Sequence, residues 1–244
     1  MSRRVLIVVE GATEFSVLNS TVAPHLGTFG VYLYAKVVGR PGHKGGVYRT
    51  FESIAKEIVN LFKQEPTAVV STFFDFYAMP EDWPGVATAK QAKANGMATG
   101  KIAAIVEAVW QREITAKTVD LGRPVAFIPY VQMYEVEALL FASPKNMAEG
   151  FLQPSLENRF RQIVTECGGC EEINDRPQFA PSKRIEDLFP GYRKGRDRNK
   201  REDRRPHAPV IAARTGVATI RAACPHFDQW VKSLEALGAQ PPPH

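Results

Sequence analysis

Val5-Leu6-Ile7-Val8-Val9-Glu10-Gly11-Ala12-Thr13-Glu14 is the stretch that decides the fold. Its apolar run is short, branched and bounded by Arg4 and Gly11, which reads as a buried strand and not a helix. Glu10 then stands at the carboxyl end of that strand, where open α/β sheets place their ligand crevice. Thr13 is expected to cap the helix that follows, with Glu14 in its first turn, one turn on from Glu10. Two carboxylates at a strand-to-helix crevice repel each other, so a divalent cation is a natural occupant. The same spacing also admits two solvated acids favoured by the helix dipole.

Working outward, strand-like and helix-like stretches alternate. A helix is expected from Thr13 to about Leu26, and a second strand over Val31–Val38. Apolar residues at Val47, Phe51, Ile54, Ile58, Leu61 and Phe62 recur at helical spacing. A third strand over Ala68–Phe74 ends at Asp75. A helix through Ile102, Val106, Trp110 and Ile114 precedes a fourth strand over Val125–Tyr130, and Tyr134–Phe141 reads as helical. Repeated strand–helix–strand units imply right-handed crossovers: an α/β, Rossmann-like fold with a mostly parallel sheet flanked by helices. After about residue 143 the pattern changes to helical stretches (155–166 and 226–237) joined by Pro-, Gly- and Arg-rich loops. The expected organisation is an α/β core over 1–142, with a helical, basic appendage over 143–244 packed on it.

The composition is that of a globular protein, 44% apolar and 23% charged, and no run approaches the length of a membrane span. The early strand leaves no room for a signal peptide, and three cysteines argue against a disulfide framework. A reducing cytoplasm is the expected compartment. Between Pro190 and Pro206, eight cations face three acids, an excess equal to the whole chain's net charge of +5. Such concentrated positive charge suits phosphate contacts, or simply keeps a solvated loop open.

Three acidic positions follow strand ends: Glu10, Asp75, and the pair Glu135 and Glu137. Parallel strands share one carboxyl edge, so these acids can converge and hold one or two Mg²⁺ or Mn²⁺ ions through oxygen ligands. Strand ends also face water, so each acid has a plain solvated reading. The loop Gly39–Gly46 offers Arg40, His43 and Lys44 to a nucleic-acid phosphate, though a flexible turn explains its glycines as well. It is not a Walker A loop, because Gly45 follows Lys44 and the glycine spacing fails. Lys183, Arg184, Arg193 and Lys194, with Tyr192 among them, are further candidates for phosphate and base contact. Cys167 and Cys170 have metal-knuckle spacing. Adding Cys224 and His226 makes a four-ligand set, but its second half is poorly spaced, which favours unreactive cysteines.

Glu10-Gly11-x-Thr13-Glu14, Phe74-Asp75-x-Tyr77 and Glu135-x-Glu137-Ala138-Leu139-Leu140-Phe141 together resemble a Toprim-like family known as domain-of-unknown-function family 4276. The likeness extends through Ala180–Ile185 and Cys224–Trp230, nearly the full chain. It implies kinship with Toprim nucleases of the overcoming-lysogenization-defect type, which bind divalent metal through a glutamate after the first strand and an Asp-x-Asp pair after a later one. By position, Glu10 matches the first glutamate, Glu14 the second glutamate of the nuclease-type motif, and Asp75 the first acid of the pair. Tyr77 stands where the second acid belongs, and a phenol is a poor substitute for a carboxylate ligand. Glu135 or Glu137 is expected to supply the missing charge. The alternatives are a one-metal site and lost catalysis.

The resemblance thus implies a Mg²⁺- or Mn²⁺-dependent nuclease acting on DNA or RNA, with Glu10, Asp75 and Lys44 catalytic, in an anti-phage setting. The other expectation is a non-catalytic nucleic-acid-binding subunit of an ATPase-containing defence complex. A phosphoesterase for small molecules is a third reading. An ABC-type ATPase partner follows from the resemblance alone. Self-association stays open, and no membrane partner is expected.

Overall fold

The computed structural model describes residues 2–38, 50–77, 79–173, 176, 178–192 and 207–239. Five parallel strands make one sheet: β1 (Arg3–Val9), β2 (Val31–Val37), β3 (Val69–Asp75), β4 (Ala126–Ile128) and β5 (Val131–Gln132). Their order is β2-β1-β3-β4, with β5 also paired to β3. The protein is α/β with a Rossmann-like parallel sheet flanked by helices, as the alternating pattern predicts.

Side-chain alternation explains the unbroken apolar runs. Val5, Ile7 and Val9 enter one hydrophobic cluster, while Leu6 and Val8 enter another on the opposite face. The second face is covered by α3 (Phe51–Gln64), α4 (Val86–Ala94) and α5 (Thr99–Lys117), through Phe62, Trp83, Val86, Val106 and Trp110. The first is covered by α1 (Ala12–Val17) and α2 (Ala23–Gly27), joined by a wider π-helical turn over Leu18–Val22. It is also covered by the C-terminal half: α6 (Pro144–Gly150), α7 (Glu157–Cys167), α8 (Pro181–Leu188), α9 (His207–Thr215), α10 (Val217–Ala223) and α11 (Pro225–Glu235). Phe160, Ile211, Phe227 and Trp230 therefore share one core with β1. Beneath them, Arg221 bridges Asp228 and Glu235, and Glu235 reaches His25 of α2 at 2.6 Å.

Three local expectations are corrected. The fourth strand is broken at Pro129, which has no N–H to give a ladder, so β4 stops at Ile128 and β5 resumes at Val131. Buried hydroxyls on β3 replace the lost bonds: Thr72 Oγ1 accepts from Tyr130 N at 2.9 Å and donates to Tyr130 O at 3.1 Å, and Ser71 Oγ donates to Ile128 O. The stretch after Glu135 is a 3₁₀ helix, Val136–Ala142. Thr13 is not a cap: the helix begins at Ala12, with Gly11 extended at its N-cap. Residues 47–49 of the expected third helix lie outside the described residues. There α3 opens at Phe51, capped by Thr50, whose side chain accepts from Ser53 N. No described helix is long and apolar enough to cross a membrane.

Trp230 links the C-terminal helices to the sheet. Its ring stacks on Tyr130 at 4.7 Å, meets Phe73 at 5.6 Å, and its indole N–H donates to Ser71 Oγ at 3.0 Å. Trp230→Ala is expected to cost about 3–5 kcal/mol of stability, measured by urea denaturation. A loss near zero contradicts a shared core.

Candidate acidic site at the carboxyl edge of the sheet

The parallel pairing of β1 with β3 sets the site. Val9 lies opposite Phe73, so Glu10 and Asp75 leave neighbouring strands one residue apart in register. On its other side Asp75 lies opposite Gln132 of β5. Asp75 as a whole is half-buried, yet its Oδ1 is fully enclosed and has no hydrogen-bond partner among the described residues.

Glu14 comes from the first turn of α1 and is buried. Gly11 explains how it fits. A Cβ built at position 11 would lie 2.9 Å from Glu14 Oε2, so a larger residue here would make this carboxylate shift. Gly11 itself has an ordinary extended backbone.

Glu135 and Glu137 arrive after β5, both buried. Buried carboxylates need donors, and the C-terminal half supplies them. Ser182 in the first turn of α8 gives its backbone N–H to Glu135 Oε2 at 2.8 Å and its hydroxyl to Glu135 Oε1 at 3.1 Å. The Tyr192 hydroxyl donates to Glu137 Oε1 at 3.0 Å.

These acids are felt together. Burial raises the Asp75 pKa well above the usual carboxylate value, and the charges of Glu14, Glu10, Glu137 and Glu135 raise it further, in that order. Burial likewise raises the Tyr192 phenol, helped by Glu137, Glu135 and Glu14, so it stays a neutral donor. Tyr77, at the position of a second acid, is half-buried, and its backbone N–H donates to Tyr134 O.

The sequence-derived acids Glu10, Glu14, Asp75, Glu135 and Glu137 thus form one electrostatic group. Their donor chemistry suits a hard cation, and the enclosed Asp75 Oδ1 has no hydrogen-bond partner among the described residues. Among the described residues, however, no three His, Cys, Asp or Glu side chains are already grouped to hold a metal ion. Ligation therefore requires these carboxylates to close around the ion.

The expected phosphate contacts fare differently. Arg40, His43 and Lys44, and likewise Arg193 and Lys194, lie outside the described residues. Lys183 pairs with Glu186 at 2.6 Å. Arg184 donates to Phe179 O and lies over the Phe179 ring at 5.2 Å. Tyr192 is buried against Phe151 and engaged with Glu137, which removes it from any base-stacking role. The cysteine set does not assemble with His226: Cys170 and Cys224 are free thiols hydrogen-bonded to each other, while the His226 ring reaches Glu107 at 2.9 Å and stacks on Tyr130.

Sequence reasoning missed Ser182 and Tyr192 as partners of the acids. One signal was available: Pro181 opens a helix at whose start Ser182 offers a free N–H, an anion-binding arrangement.

Fold and site together define an α/β protein with a cluster of acidic side chains at the carboxyl edge of its sheet. The chain belongs to the family described as Domain of unknown function (DUF4276), which matches residues 9–235. No curated protein and no solved structure matches the chain.

The raised Asp75 pKa has a definite sign in stability. The folded state holds this proton more tightly than the unfolded chain, so the contribution is full below the ordinary carboxylate pKa of 3.8 and is lost as pH rises through the raised value. Without divalent cations, Asp75→Asn is expected to be more stable than the parent at neutral pH, with a flatter pH dependence above pH 4. Urea denaturation between pH 4 and about 8 checks this; equal slopes for both proteins contradict it.

Proposed function

We propose that this protein is a divalent-metal-dependent, Toprim-like nuclease that hydrolyses phosphodiester bonds in DNA or RNA. The observation that carries this reading is Asp75, with one enclosed and unbonded oxygen, ringed by the charges of four glutamates at the carboxyl edge of a parallel sheet. Mg²⁺ or Mn²⁺ would be held by Asp75 and Glu14, with Glu10 and the Glu135–Glu137 pair completing the charge. The chemistry such an ion supplies when bound is activation of a water and neutralisation of charge on the phosphate. The chain's own residues do the rest. Gly11 leaves room for the Glu14 carboxylate, and Ser182 and Tyr192 hold Glu135 and Glu137 in place. The Arg- and Lys-rich run between Pro190 and Pro206 would draw in and hold the phosphate backbone, with Lys44, Arg40 and His43 as further candidate phosphate contacts.

The Toprim likeness is supported by acids at the ends of adjacent parallel strands β1 and β3, although Tyr77 replaces the second acid of the expected pair. That replacement, and the absence of a ready-made three-ligand group among the described residues, favours a second reading. In it the protein binds nucleic acid without cutting it, as a sensor subunit beside an ABC-type ATPase in phage defence.

Incubation of the purified protein with labelled DNA and RNA separates the two. With Mn²⁺ or Mg²⁺ the nuclease reading predicts cleavage that falls by about 100-fold or more in Asp75→Ala and Glu14→Gln. Cleavage that survives Asp75→Ala contradicts it. Salt-sensitive binding with every substrate left intact establishes the second reading instead.

A further inference from the structure

Glu135 and Glu137 lie in a buried, mostly apolar stretch, yet both are tied to one short piece of the C-terminal half. Ser182 uses two donors on the two oxygens of Glu135, an arrangement that fixes the carboxylate plane as well as its position. Tyr192, ten residues further along the chain, uses its hydroxyl on Glu137. Outer-shell donors of this kind orient ligands and tune metal affinity.

We propose that Ser182 and Tyr192 are positioning residues that hold Glu135 and Glu137 toward Asp75, so that these glutamates complete a divalent-cation site. This rests on the metal-binding reading given above and assigns its missing fourth and fifth acids to the control of the C-terminal half. Both donors are buried, and their hydrogen bonds go to Glu135 and Glu137 and not to Asp75, so they act through the glutamates. The Tyr192 ring also packs edge-on against Phe151, a contact that phenylalanine preserves. Tyr192→Phe therefore removes one hydroxyl and leaves the packing in place.

The test is Mn²⁺ binding to the intact chain, followed by electron paramagnetic resonance of free Mn²⁺ and by calorimetry. Tyr192→Phe and Ser182→Ala are each expected to weaken binding by about 10- to 100-fold, with Ser182→Thr, which keeps the hydroxyl, restoring it. Tyr192→Phe added to Glu137→Gln is expected to weaken binding no further, because the phenol acts through that carboxylate. A purely structural role would lower the melting temperature and leave Mn²⁺ affinity unchanged, and that result overturns the proposal. Should the parent bind Mn²⁺ and Glu14→Gln abolish binding while Tyr192→Phe and Ser182→Ala bind like the parent, this inference fails and the metal reading stands. A parent that binds no Mn²⁺ overturns both.

Discussion

Repulsion among carboxylates gathered at one edge of the sheet is the constraint around which this structure is organised. Parallel strands bring all their carboxyl ends to the same side, and β1 and β3 are adjacent. Glu10, Glu14, Asp75, Glu135 and Glu137 consequently act on one another through a poorly solvated space. Such a cluster persists only where something offsets its charge. Among the described residues, burial and the neighbouring charges raise the Asp75 pKa, which favours its protonated form, and Ser182 and Tyr192 supply hydrogen-bond donors to Glu135 and Glu137.

Those donors explain why the C-terminal half is more than a cover for the sheet. Its helices share a core with β1, through Trp230, Phe227 and Ile211. One of them, α8, points its first turn at Glu135, and the chain just beyond it places the Tyr192 hydroxyl on Glu137. The same segment then leads into the basic run between Pro190 and Pro206. The two donors and the basic run thus lie along one continuous stretch of chain, and the donors tie that stretch to two of the acids.

Much of the core architecture was legible in the sequence, because β1 and β3 are short, mostly apolar runs buried on both faces and long helices such as α5 repeat at a clear period. The short helices were not. In α4 only Val86 and Ala89 are buried, which leaves no periodic stripe to read, and α6 and α8 are single short elements opened by proline. The break in the fourth strand was signalled by Pro129, but its repair by Ser71 and Thr72 depends on tertiary contacts more than 50 residues apart. At the site, Glu10 and Asp75 could be found because a strand end in an α/β sheet has a known address. The pairing of Ser182 and Tyr192 with these acids could not, because their partners lie 47 and 55 residues away; Pro181 marks a helix start with an N–H to offer, but not which carboxylate takes it.

The central claim is that the enclosed oxygen of Asp75 and the glutamates around it can close on a divalent cation. Crystals grown with Mn²⁺, with diffraction recorded for the anomalous signal of manganese, test this most directly. The account predicts an anomalous peak bonded to Asp75 Oδ1 and to a Glu14 carboxylate oxygen, with Ser182 and Tyr192 still on Glu135 and Glu137. Density showing no ion at the carboxyl edge, with the five acids arranged as in the metal-free protein, would contradict it.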